Sequence, residues 1–178
     1  MAELIPDVPL HKTVILVDTN VMIEAVRTGT WNALTGGAQV ETVEECRDEA
    51  RRGDDGTRPG YVTVSDADLA RLHAVHPMSQ RERAEYLLTD PEAVGMDPGE
   101  QDLFAHAYQR AKAGDRVWVL CSSDKASIRA AVRLAFADQL LSLEAACVAV
   151  GARPKQPIKA HHQEPFLSKY RTEYLLGG

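Results

Sequence analysis

What this 178-residue chain lacks narrows its function before any motif is read. No apolar run approaches the eighteen or so residues that cross a bilayer. The opening MAELIPDVPLHK has no basic stretch leading into a long apolar one, so no secretory leader is expected and the cytoplasm is the expected location. Cys46, Cys121 and Cys147 are three widely spaced cysteines, which excludes a paired disulfide framework and a Cys-x-x-Cys zinc site. Cys121 and Cys147 read as small buried residues, and Cys46 as one on the inner face of its helix. With a net charge of −6 the chain lacks the cationic excess of a general nucleic-acid binder. Acids gathered around a metal can nevertheless make the total negative while Lys and Arg elsewhere contact phosphate. There is no glycine-rich phosphate loop, since Gly36-Gly37 has neither the lysine nor the spacing of one. Ser122 and Ser123 lack the glycine-flanked elbow of a nucleophile, and Cys121 has no positioned histidine. Nor do the histidines offer a catalytic setting: His161-His162 falls in an expected linker and His106 on a helix.

Against this background stands Val14 to Asn20, VILVDTN. A short β-branched apolar run without glycine is the pattern of a strand buried on both faces of a parallel sheet, and this one ends at Asp18. Ligands bind beyond the carboxyl ends of such strands. Asp18 therefore reads as a site residue or as the N-cap of the next helix. RVWVLCSSDKASIRAA repeats the arrangement, with a strand over Val117–Cys121, then Ser122, Ser123, Asp124 and a helix. Further helices are predicted at Val21–Arg27, Trp31–Leu34, Thr42 to about Arg52, Asp66–His76, Ser79–Leu88, from Pro98 to before Gly114, and over Leu140–Ala152. Thr42 and Glu45 match a capping box. A brief strand is expected near Gln39–Glu41, an exposed loop at Gly53–Gly60 and a short strand at Tyr61–Asp66. Strands alternating with helices imply an α/β fold built from βαβ units around a parallel sheet. The expected organisation is one domain over residues 1–152 and a tail over 153–178. In the tail a linker leads to an aromatic segment, Phe166–Leu176, that docks on the body or on a partner.

If the two buried strands are neighbours, Asp18 and Asp124 converge at one sheet edge. Two helices can bring more acids there: one carries Glu44, Glu45, Asp48 and Glu49, and the other opens with Glu100 and Asp102. Carboxylates crowded together repel and raise one another's pKa unless a cation lies between them. An all-oxygen ligand set points to Mg²⁺ or Mn²⁺ rather than zinc. Such ions suit phosphodiester hydrolysis, because they lower the pKa of an attacking water and offset charge on the phosphate. Ser122 and Ser123 stand where a hydroxyl can orient these groups. Arg27, Arg51, Arg52, Lys125, Arg129 and the loop residue Arg58 are candidate phosphate contacts by nearness in sequence.

The pieces VDTNVMIEA, TVEECRDEARRG, PGEQDLFAHAYQ and VLCSSDKASIRAA, in this order and spanning about Thr13 to Gly151, resemble the PIN-domain nucleases, a family that includes VapC-type toxins and ribosomal-RNA processing endonucleases. The resemblance implies a three-layer α/β/α sandwich with a central, mainly parallel sheet. It also implies a metal-dependent endoribonuclease. Carried over, Asp18 matches the first acid and Asn20 the polar residue beside it; Glu49 matches the second, two turns into its helix. Glu100, followed by Ala105 and Ala107, matches the third, with Asp102 as a neighbour, and Asp124 matches the fourth. Asp18, Glu49, Glu100 and Asp124 are thus the expected ligands of Mg²⁺ or Mn²⁺, with Asn20 and Ser122 assisting by hydrogen bonding. Many family members have a further acid where Ser123 stands, so one or two ions remain compatible with this sequence. Implied partners are an RNA substrate, an antitoxin protein if the chain is the toxin of a toxin-antitoxin pair, and a second copy in a homodimer. The alternative is a catalytically weak or inactive module that binds RNA or protein.

Overall fold

The computed structural model describes residues 3–5 as backbone, and residues 8–53 and 62–177 in full. Its strands are β1 (Glu3–Ile5), β2 (Val8–Pro9), β3 (Val14–Val17), β4 (Gln39–Val43), β5 (Ala74–His76), β6 (Trp118–Cys121) and β7 (Leu140–Leu141). The helices are α1 (Thr19–Arg27), α2 (Trp31–Gly37), α3 (Glu44–Arg52), α4 (Asp66–Leu69), α5 (Gln80–Thr89), α6 (Pro98–Lys112), α7 (Lys125–Arg133), α8 (Leu143–Ala149) and α9 (Glu164–Leu175). β1 and β2 form a small antiparallel pair, and the other five strands form one parallel sheet in the order β5-β4-β3-β6-β7. Helices flank the sheet as a three-layer α/β/α sandwich. Among the described residues no helix is long and apolar enough to cross a membrane.

This strand order positions the site. The chain enters the sheet at its centre, winds outward through β4 and β5, then returns to lay β6 against the other side of β3. In such sheets a crevice opens where the winding direction reverses, beyond the carboxyl ends of the two central strands. Every residue of β3 and of β6 is buried, as a strand covered on both faces requires. The pairing runs from Val14 opposite Trp118 to Val17 opposite Cys121. The next residues on each strand, Asp18 and Ser122, therefore leave the sheet side by side.

Several local expectations gave way to tertiary pairing. Thr42 does not cap α3: it lies in β4 and its hydroxyl donates 2.6 Å to the Val17 carbonyl, while Val43 takes the N-cap position without a side-chain bond. Glu45 accordingly has no capping partner and pairs with Arg52 at 3.2 Å. The helix expected through His76 stops at Leu69, and Ala74–His76 instead forms the edge strand β5 against Glu41, Thr42 and Val43. Of the strand expected at Tyr61–Asp66, Tyr61 lies outside the described residues and 62–65 are irregular, with Ser65 and Asp68 forming a capping box for α4. Leu140-Leu141 pairs with Leu120-Cys121 as β7, so α8 opens only after the Ser142 cap. The loop expected at Gly53–Gly60 falls, after Gly53, outside the described residues.

Residues 153–177 are built into the body. Ile158, Leu167 and Tyr174 join the main hydrophobic core, and the Arg27 guanidinium donates to Gln156 and to the Pro157 carbonyl. The Lys159 amide donates 2.7 Å to Glu24 and His162 is buried, so the segment expected as linker is fastened along its length. α9 packs across α7 and reaches α8. All three cysteines are free and buried.

Candidate metal centre at the switch point

Asp18 is both the cap and the centre of the site. Its Oδ1 accepts 2.7 Å from the Val21 amide at the start of α1, and its Oδ2 accepts 2.5 Å from the Ser122 hydroxyl at the end of β6. The side chain is buried. Burial, opposed by these hydrogen bonds and reinforced by the negative charge of Asp124, pushes its pKa up to about 6.

Of the other three predicted acids, Glu100 and Asp124 are within electrostatic reach of Asp18, and Glu49 contacts Thr19, the residue after Asp18. Glu100, in the first turn of α6, accepts 3.2 Å from the Ser127 hydroxyl of α7. Burial first, and then repulsion from Asp18 and Asp124, pushes its pKa up to about 8. Asp124 caps α7, accepting 3.3 Å from the Ala126 amide, and its carboxylate is exposed at the rim. Glu49 on α3 reaches across to α1, where Thr19 donates 2.6 Å to its Oε2. It lies directly on the first turn of α6: a Cβ on Gly99 would stand 2.7 Å from Glu49 Oε2. Only glycine leaves room for that carboxylate. The Cys46 thiol ties the same helices together by donating 3.2 Å to the Gly99 carbonyl.

A comparison among buried acids separates this group from the rest. Glu24 pairs with Arg27 at 2.6 Å, Glu41 with Arg110 at 3.1 Å, Asp90 with Arg133 at 2.7 Å and Asp102 with Arg83 at 2.6 Å. Asp18 and Glu100 complete the buried acids, and among the described residues neither has a Lys, Arg or His within 4.0 Å. Burying an unpaired carboxylate costs several kcal/mol by order of magnitude, so most folds supply a counter-charge. Here the two acids lacking one are near enough for Asp18 to repel Glu100, and Asp124 repels both. The oxygen donors fit a hard divalent cation. No three of the four acids bring ligand atoms within 4.8 Å of one another.

Among the described residues one group does meet that spacing: Glu41, His76 and His106. It is already internally balanced. Glu41 accepts 2.8 Å from His76 and 3.1 Å from Arg110, and the His76 and His106 rings stack 4.0 Å apart. Burial and the neighbouring positive groups push the His106 pKa down to about 4. Nitrogen donors beside a guanidinium do not suit Mg²⁺ or Mn²⁺.

Of the remaining sequence candidates, Ser122 touches Asp18 as described, whereas Asn20 is exposed and faces a neighbouring depression. Asp102 is fully engaged with Arg83 through two bonds of 2.6 and 2.7 Å. Arg27, Arg51 and Arg52 are committed to Glu24, Asp66 and Glu45. Lys125 and Arg129 lie over the rings of Tyr170 and Tyr174, at 4.3 and 4.7 Å. Arg58 is outside the described residues. Thr19 and Ser127 escaped the reading of the sequence, although Thr19 stands inside the DTN run and Ser127 lies one turn after Asp124. Asp97 also adds negative charge near Glu100. No protein-family model matches this chain, and neither the curated proteins nor the solved structures give a match.

Proposed function

We propose that this protein is a metal-dependent endoribonuclease, with Asp18, Glu49, Glu100 and Asp124 holding Mg²⁺ or Mn²⁺. One observation carries the reading: among the described residues the two buried acids without a cationic partner, Asp18 and Glu100, repel each other at the sheet's switch point, while each of the other buried acids has an arginine. The resemblance of four ordered sequence pieces to PIN-domain nucleases supplies the substrate class. The ion, when bound, would lower the pKa of an attacking water and offset charge on the phosphate. The chain's own groups set the geometry. The Val21 amide and the Ser122 hydroxyl fix both oxygens of Asp18, Thr19 orients Glu49, and Ser127 orients Glu100. Glu100, with a pKa of about 8, holds a proton on its carboxyl at neutral pH, which it would give up in binding a cation.

The test is RNA cleavage with and without Mn²⁺, comparing the native protein with Asp18→Asn. Cleavage is expected to require the ion and to fall by on the order of a hundredfold or more in the variant. Equal cleavage by both proteins would remove the assignment. The open spacing of the acids favours one second reading, a module with a weak or unused metal site. Calorimetric titration with Mn²⁺ decides it, since no binding at millimolar ion selects the module. The roles of toxin and of antitoxin-bound partner follow from the resemblance alone. Co-purification with a small partner protein from the native host is the measurement that bears on them.

A further inference from the structure

Beside the acids lies a depression of about 360 Å³, lined by Asn20, Ser123, Asp124, Lys125, His161 and Phe166. Of the four acids Asp124 alone lines it, and its aromatic wall has another source. That wall comes from the segment after α8, where His161 and Phe166 are 6.4 Å apart with their rings at 72°, and Phe166 leads on to Tyr170 at 4.7 Å. Cations follow the aromatic line. Lys125 Nζ sits 4.3 Å over Tyr170, Lys169 lies 5.2 Å from the same ring, and the Arg129 guanidinium is 4.7 Å from Tyr174. Lys125 follows Asp124 in sequence yet forms no ion pair with it, its Nζ being held over the Tyr170 ring. In a chain of net charge −6, this edge gathers cations and ring faces immediately outside a group of carboxylates.

We propose that this depression is a nucleotide subsite for single-stranded RNA. The base stacks on Phe166 beside His161, the exposed Asn20 carboxamide meets its polar edge, and the flanking phosphates run along Lys125 toward Arg129. Stacking on aromatic side chains beside a cationic track is the general means of gripping unpaired nucleic acid. An aromatic wall of this kind takes a base only when that base is out of a helix, which selects single strands over duplex. The pocket volume suits one ring system with its sugar rather than a longer ligand. Asp124 lines the depression, so a strand seated here lies against one of the four acids. The inference rests on the nuclease reading for its ligand class and extends it to a residue-level account of substrate grip.

The experiment uses a short single-stranded RNA carrying 2-aminopurine, whose fluorescence is quenched on stacking. Binding is measured with cleavage suppressed by Asp18→Asn and by Ca²⁺ in place of Mn²⁺. In that background Phe166→Ala and His161→Ala are each expected to weaken binding by about tenfold and to abolish quenching, Phe166→Trp to retain both, and duplex RNA of the same sequence to bind all forms alike. His161 is exposed, so its variant keeps the test valid if Phe166→Ala fails to fold. Unchanged affinity in both alanine variants, or absence of RNA binding by the starting protein, overturns the subsite. Cleavage is assayed separately in the Asp18-containing protein. Loss of binding in the variants without any Mn²⁺-dependent cleavage keeps the subsite and removes the nuclease. Cleavage with unaltered variant affinity does the reverse.

Discussion

Glu100 and Asp102 sit two residues apart in the same helical turn, yet they have opposite electrostatic fates. Asp102 is closed into a two-bond pair with Arg83, whereas Glu100 meets other carboxylates and a serine. The difference sets a pH dependence. Between its ordinary value of 4.5 and its folded value of about 8, Glu100 holds a proton that the unfolded chain has released. Metal-free stability therefore declines as pH rises through that window, and Asp18 adds to the decline between 3.8 and about 6. His106 and His162, both held down to about 4 by burial, act in the opposite sense and withdraw stability as pH falls below 6.5. Glu100→Gln is expected to leave stability in EDTA nearly unchanged at about pH 4.5 and to raise it by on the order of a few kcal/mol at about pH 9. Urea denaturation at the two pH values measures this, and an equal effect at both would show that the carboxylate is not penalised. The acids at 18, 100 and 124 were legible in the sequence because each falls at a strand end or a helix start. So was Ser122, which steadies Asp18, but Ser127, which donates to Glu100, was not: it meets that carboxylate only once two separate helices have packed, and no local pattern records that.

At the scale of elements, the first turn of α6 is where two helices and the sheet meet. Its backbone at Gly99 takes the Cys46 thiol on one side and the Glu49 carboxylate on another. A Cβ here would strike the far end of a flexible glutamate, which can swing away at little cost to folding. Gly99→Ala is therefore expected to change stability by less than about 1 kcal/mol. It should also weaken Mn²⁺ binding by about tenfold through displacement of Glu49. Thermal melting and metal titration on the same variant separate these effects, and an unaltered metal affinity would take Glu49 out of the site. The helices α5 and α6 stand close to where they were expected, and Pro98 and Gly114 mark the ends of α6 locally. β5 and β7 were not expected. Each is two or three residues long and exists through pairing with a strand distant in sequence, so the end of the helix expected over Asp66–His76 became a sheet edge in the fold.

For the whole molecule, the last 25 or so residues matter more than a tail would. Ile158, Leu167 and Tyr174 are buried in the main core, and each large apolar side chain contributes roughly 1.5–3 kcal/mol on burial. Truncation after Ala152 is expected to remove on the order of 5 kcal/mol, a large share of an ordinary domain's stability, and to uncover α7 and α8. Guanidinium unfolding of the shortened chain checks this, and a midpoint equal to that of the full chain would reduce the segment to a surface attachment. The alternation of strands and helices made the parallel sheet legible. The dependence of its helical layer on the carboxyl-terminal segment was hidden, because the contacts that create it join α9 to α7 across some forty residues of sequence.

Laying β6 beside β3 also has a consequence in time. The hydroxyl that steadies Asp18 comes from a residue 104 positions later in the chain. A polypeptide still emerging from the ribosome thus carries Asp18 without this partner until at least residue 122 has been made, so the gathering of acids at the switch point comes late in synthesis.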